Sequence, residues 1–195
     1  MLGPHPIEGY AIVSADGMIA DADGVMPDVL RNPADQDFFA RGLDAVDVIV
    51  HGRASHENQP GSPRRRRLIA TRSVATLGPD GADPKALLWN PAGATLAAAC
   101  RTLGLDAGTV AVIGGTDVFG LFLDLGYDVF HLTRARNARL PGGRPLFPDV
   151  PARTPEEVLS SRGLKPGPER VLDAADGVTL TDWIADDRGR TTDDG

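Results

Sequence analysis

The sequence predicts an α/β fold: a mostly parallel central sheet flanked by helices, closed by a C-terminal antiparallel strand pair. Three observations carry that prediction. Short β-branched runs alternate with helix-start signals from Tyr10 to Thr133. Several of these runs end on glycine, hydroxyl or arginine, the residue types that line the carboxyl edge of parallel sheets. The last two apolar stretches are separated only by a turn.

The elements follow in order. Tyr10–Val13 and Asp47–Val50 are too short for buried helices and are bounded by turn residues, so they read as strands. Arg67–Thr71, Ala86–Trp89, Thr109–Ile113 and Asp128–Thr133 read the same way. A helix over Asn32–Ala45 opens with Asn32 as N-cap and Pro33 at the first helical position, then presents Phe38, Phe39 and Leu43. A second helix, Thr95–Gly104, spaces Leu96, Ala99, Cys100 and Leu103 along one face and closes on glycine. A third, Thr116–Gly126, turns Val118, Phe119, Phe122 and Leu123 inward. The stretch from Leu140 to Gly167 is rich in Pro, Gly and Arg, and holds one helix at Thr154–Ser160 with a Thr154/Glu157 capping box. Arg170–Trp183 predicts two strands about an Asp176-Gly177 turn. The expected organisation is one domain over residues 1–184 and a polar, disordered tail over 185–195.

Composition narrows the function classes. A chain of 195 residues with 42% hydrophobic and 24% charged residues suits one globular domain with a full core. No apolar run is long enough to span a bilayer, and the N-terminus has neither the basic nor the apolar region of a signal peptide, so no membrane and a cytoplasmic setting are expected. A net charge of −7 argues against nucleic acid, and Arg64 to Arg67 read mainly as a solvated loop. Cys100 is the sole cysteine, which excludes disulfides and zinc–thiolate clusters. His51 and His56 share no helix face and have no carboxylate cluster beside them, so no metal site is predicted.

Val110–Phe119 (VAVIGGTDVF) concentrates the chemistry. A strand that ends in Gly114-Gly115 and enters a helix at once exposes backbone N–H groups, at the positive end of the helix dipole, with no side chains in the way. Thr116 adds a hydroxyl that can cap the helix. The same features fit a tight strand–helix turn or a pyrophosphate cradle. Two further strand ends should lie beside it: Gly52, Arg53 and Ser55 after one strand, Thr71 and Arg72 after another.

The motifs, in this order, resemble the dihydrofolate reductase superfamily. They are Met18–Pro27 with the NPAD helix start, VIVHGRASHE, RLIATR, VAVIGGTDVFGLFLDLGYDVFHLT and GGRPLFP, from about Ile7 to Asp149. Val13–Ala20 (VSADGMIA) and Gly142–Phe147 (GGRPLF) are similar to the reductase half of the riboflavin-biosynthesis deaminase–reductases. One cysteine cannot form the zinc signature of their deaminase half. MPDVLRNPADQDFF resembles the folate-reductase segment that carries the catalytic acid, which would place that acid at Asp35. Two positions depart from it: Asp28 replaces the usual Trp, and Pro145 stands where the Thr that supports the carboxylate is expected.

The resemblance implies a dihydrofolate reductase-like fold and hydride transfer from NADPH to a small heterocyclic substrate. It implies cofactor contacts from Gly52, Arg53, Ser55, Thr71, Arg72, Ile113, Gly114, Gly115, Thr116, Asp117 and Val118, and a homodimer by analogy alone. The first expectation is reduction of a 5-amino-6-(5-phosphoribosylamino)uracil-type pyrimidine. Reduction of 7,8-dihydrofolate is the alternative, and a non-catalytic nucleotide-binding module is the alternative of another class. Asp35 is either the proton donor or a carboxylate that only complements the helix dipole. Asp16 either faces substrate or shapes the Asp16-Gly17 turn.

Overall fold

The computed structural model describes residues 5–53 and 64–186. Twelve strands are seen among them: β1 (Ile7–Ser14), β2 (Met18–Ala20), β3 (Val48–Gly52), β4 (Arg66–Ala70), β5 (Leu77–Pro79), β6 (Ala86–Trp89), β7 (Val110–Val112), β8 (Val129–Ala135), β9 (Arg144–Pro145), β10 (Leu164–Pro166), β11 (Arg170–Asp173) and β12 (Val178–Ala185). The helices are α1 (Pro33–Ala45), α2 (Leu96–Thr102), α3 (Thr116–Leu125) and α4 (Pro155–Ser161), with a 3-10 turn at Asp28–Leu30. The main sheet runs β10-β12-β8-β1-β7-β3-β4-β6-β5, and β11 also pairs with β12. From β8 to β6 every pairing is parallel. Antiparallel pairs close both ends, β5 on β6 at one and β12 with β10 and β11 at the other.

The β-strand period of two explains the layers. In β3, Val48 and Val50 face one way and join a core with Phe119 and Phe122 of α3, Ala99 and Cys100 of α2, and Val158 and Leu159 of α4. Ile49 faces the other way and packs with Tyr10 and Leu43, against Phe38 and Phe39 of α1. Helices on both faces leave β3 apolar on both sides, as parallel sheets require.

Two helix starts, those of α1 and α4, follow the capping chemistry read in the sequence, and Thr95 adds a third cap. Asn32 caps α1 by accepting from the amides of Ala34 and Asp35, Thr95 caps α2, and the Thr154/Glu157 box closes on α4. Other details differ. The C-terminal hairpin turns over 174–177, because β11 ends at Asp173 and Asp173 Oδ1 accepts from the amides of Ala175 and Asp176. Strand β12 continues to Ala185, where Ile184 pairs with Val129 and Ala185 with Leu164, so the ordered chain runs past residue 184. The Pro/Gly-rich excursion folds back: β9 pairs antiparallel with β2, and Leu146 and Phe147 are buried. Among the described residues no helix is long and apolar enough to cross a membrane.

Candidate active site

The strand order brings the predicted strand ends together. Because β3 lies between β7 and β4, Gly52 and Arg53, Thr71 and Arg72, and Gly114-Gly115 all emerge at one edge of the sheet. The Gly52 amide donates to the Gly114 carbonyl at 2.9 Å. A Cβ at Gly52 would lie 3.4 Å from Val118 Cγ2 and 3.8 Å from the Gly115 nitrogen, in ordinary contact with both, so this strand end packs directly against the start of α3. Gly114 has φ +114°, and a Cβ there would meet the Phe119 ring at 3.0 Å. The Gly114-Gly115 peptide is cis.

Gly115 is the N-cap of α3, and no side chain caps that helix. Thr116 departs from the expected role, since its hydroxyl donates to the Pro145 carbonyl at 2.5 Å and ties the helix start to β9. Asp117 is exposed in the first turn. The Val118 side chain is buried in the core, which leaves only its backbone for a ligand. Ile113 is half-buried against the α1 side of the sheet, with its amide spent on the Val50 carbonyl. Arg53 and Arg72 are exposed at their strand ends, and Thr71 Oγ1 accepts from the Ser73 amide. Ser55 and His56 lie outside the described residues.

Asp35 sits in the first turn of α1 and is 8% exposed. Burial pushes its carboxyl up to about 6 from an ordinary 3.8, against the opposing pull of a hydrogen bond with the Thr133 hydroxyl. Thr133, fully enclosed on β8, supplies the support that the sequence reading sought at residue 145. Pro145 therefore does not leave the acid unsupported. The missed signal was a hydroxyl on the same strand face as His131, but its pairing with Asp35 requires β8 to lie beside β1.

Register ties the two halves of the site together. Gly9 is level with Val112 on one side and Phe130 on the other, and three residues on Ile12 is level with Thr133; the glycine pair follows directly after Val112 on the other side of β1. At the strand spacing of parallel sheets, β7 and β8 run about 10 Å apart across β1.

Asp16 is a structural tie. Its Oδ1 accepts from the Ser14 hydroxyl at 2.5 Å, and both its oxygens accept from the Leu140 amide. Burial pushes this carboxyl up, but the Ser14 and Leu140 bonds with nearby Arg139 outweigh that and leave it lowered. A carboxylate held in that way is ionised at neutral pH, and its bonds to Ser14 and Leu140 fit the turn-shaping alternative.

Two arginines of the run have largely enclosed, paired side chains. Arg65 bonds Asp44 and Arg67 bonds Asp83, both at 2.6 Å. A polar groove of about 550 Å³, lined by Asp44, Asp47, Arg64, Arg65, Arg66 and Lys85 among others, opens at the opposite, N-terminal end of β3 and β4. It shares no lining residue with the acid or the glycines. His131, read as a structural residue, bonds Asp182 at 2.7 Å and stacks on Tyr10. Cys100 is buried, and burial pushes its thiol up to about 11.

Together these features define a parallel-sheet edge with an open helix start on one side and an enclosed, hydrogen-bonded carboxyl on the other. No sequence family matches the chain, and no curated protein matches it. Solved structures share its fold. A protein assigned to riboflavin biosynthesis from Shewanella sp. PV-4 is 22% identical over 92% of this chain and 98% of its own, with a TM-score of 0.64. Dihydrofolate reductase from Enterococcus faecalis, complexed with NADP(H), is 18% identical over 93% and 97%, also at 0.64. A diaminohydroxyphosphoribosylaminopyrimidine deaminase/5-amino-6-(5-phosphoribosylamino)uracil reductase from Thermotoga maritima is 17% identical at a TM-score of 0.55; the match covers 92% of this chain and 56% of that one. The chain has the dihydrofolate reductase-like fold, shared with proteins of the riboflavin pathway and of folate reduction.

Proposed function

We propose that the chain is an NADPH-dependent reductase acting on a pyrimidine- or pteridine-type heterocycle, with Asp35 as proton donor. The observation that carries this reading is the Asp35 carboxyl itself: enclosed, bonded to Thr133, and raised to about 6 by burial, so that it can hold a proton near neutrality. A carboxylate serving only the helix dipole needs neither the enclosure nor the buried hydroxyl.

The residues present suit a dinucleotide. The amides of Thr116, Asp117 and Val118 at a helix start that no side chain caps, behind the side-chain-free Gly114-Gly115 pair, are the donor set a diphosphate needs. Arg53, Thr71 and Arg72 supply the charge and hydroxyl for a further phosphate. When bound, the reduced nicotinamide supplies the hydride. The chain's own task is to orient the acceptor at the sheet edge, exclude water around Asp35, and deliver its proton to an acceptor nitrogen.

Within this class the first reading is reduction of the ribosylaminopyrimidine of riboflavin synthesis. Its support is the VSADGMIA and GGRPLF motifs and the near-complete mutual coverage with the Shewanella protein. The buried Asp35–Thr133 pair favours dihydrofolate as the second. The test follows NADPH oxidation with 5-amino-6-(5-phosphoribosylamino)uracil and, separately, with 7,8-dihydrofolate. Turnover of the first over the second supports the first reading, and the reverse supports the second. NADPH binding without turnover of either favours a non-catalytic nucleotide-binding module.

A further inference from the structure

Asn32 does more than cap a helix. Its side chain is buried at 5% exposure and uses both ends of its carboxamide. Oδ1 accepts from the amides of Ala34 at 3.0 Å and Asp35 at 3.3 Å. Nδ2 donates to Asp173 Oδ2 at 3.0 Å and Asp176 Oδ2 at 3.3 Å, on the β11–β12 turn. Ser, Thr and Asp cap helices as well as Asn does, but none of them can also donate through an amide. The choice of Asn is explained by the second contact.

The electrostatics around this end of α1 are lopsided. Arg170 on β11 and His131 on β8 both bond Asp182 on β12, and Arg31 pairs with Asp28 in the preceding 3-10 turn. Among the described residues, neither Asp173 nor Asp176 has a Lys or Arg partner. The Asn32 amide and the turn's own amides hold Asp173 below the usual carboxylate range, so it is ionised at neutral pH. Two negative charges are thus fastened beside the turn of helix that carries the proposed acid.

We propose that Asn32 is a positioning residue for Asp35: one side of its carboxamide fixes the first turn of α1, and the other anchors the charges of Asp173 and Asp176 next to it. This makes the C-terminal hairpin, some 140 residues downstream in sequence, an outer part of the acid site. The inference rests on the reading of Asp35 as the proton donor.

The experiment titrates the Asp35 carboxyl by carbon NMR in the full chain labelled at aspartate, with D35N used for assignment. Three variants are compared with the natural sequence: D173N/D176N, N32S and their combination. D173N/D176N keeps an acceptor for Asn32 while removing both charges, and should move the Asp35 titration down by about 0.5–1 pH unit. N32S keeps the helix cap, releases the turn, and should move it in the same direction by less. In the N32S background the two neutralisations should have under half their original effect, because the charges are no longer anchored there. Urea unfolding shows that each variant is folded. An unmoved titration in D173N/D176N, or the same shift with and without Asn32, overturns the proposal. Loss of turnover with every acceptor would instead sink the reductase reading and leave this titration standing.

Discussion

Replacing Asp35 by Asn tests the buried acid without needing substrate or cofactor. The amide is nearly isosteric and can still accept from the Thr133 hydroxyl, so packing is preserved. Charge is what changes. In the folded chain the Asp35 carboxyl lies at about 6, against an ordinary 3.8, so the native state holds this proton more tightly than the unfolded state. Stability from this group is therefore fully present below about pH 4 and is lost as pH rises through 6. A gap of about two pH units at ~1.4 kcal/mol each gives a cost of about 3 kcal/mol, complete by pH 8. D35N carries no such cost. Relative to the natural sequence, it should gain about 3 kcal/mol between pH 4 and pH 8, a relative rise in Tm of roughly 6–12 °C for a chain of this size. Paired urea and thermal melts of both proteins across that range measure it. A stability difference that does not change with pH would refute the enclosed-acid reasoning. The same variant should lower turnover by about 10²–10⁴-fold if Asp35 delivers the proton.

Thr133→Val removes the one hydroxyl that favours ionised Asp35, so the carboxyl should titrate above 6; NMR titration that finds it lowered contradicts the assigned hydrogen bond. Gly114→Ala forces a side chain onto a φ of +114° and into the Phe119 ring at 3.0 Å, and should cost roughly 1–3 kcal/mol in urea unfolding as well as weaken NADPH. Arg72→Ala should weaken NADPH by at least tenfold more than NADH in fluorescence titrations; equal losses would free Arg72 from reading the extra phosphate. Cys100, enclosed and with its thiol raised to about 11, should react with a thiol reagent only on unfolding.

Much of this architecture is local, and what is local could be read in the sequence. Asn32-Pro33, Thr95 and Thr154 with Glu157 start their helices where they stand because capping involves only neighbours along the chain. The glycine-ended strand before α3 and the inward stripe of Val118, Phe119, Phe122 and Leu123 are local in the same sense. Contacts across the sheet are not. Thr133 meets Asp35 only because β8 crosses to the far side of β1, and a search for a supporting hydroxyl by motif position stopped at Pro145. Asp16 shows the same limit: its neighbours in sequence leave substrate and turn roles equally open, and the bond from the Leu140 amide to both its oxygens comes from a distant segment. Strands β2, β5, β9 and β10 are two or three residues long, too short to show a period of their own, and they exist by virtue of their partners.

The row Val112–Gly9–Phe130 has a broader implication. Strand β1 acts as a spacer between the helix start and the acid, and the gap it sets is fixed by backbone pairing on both its edges. Main-chain hydrogen bonds set that ruler, so exchanging the side chains around it leaves it unaltered. Exchanges at the rim of the sheet change what that edge presents, while the span between β7 and β8 stays constant.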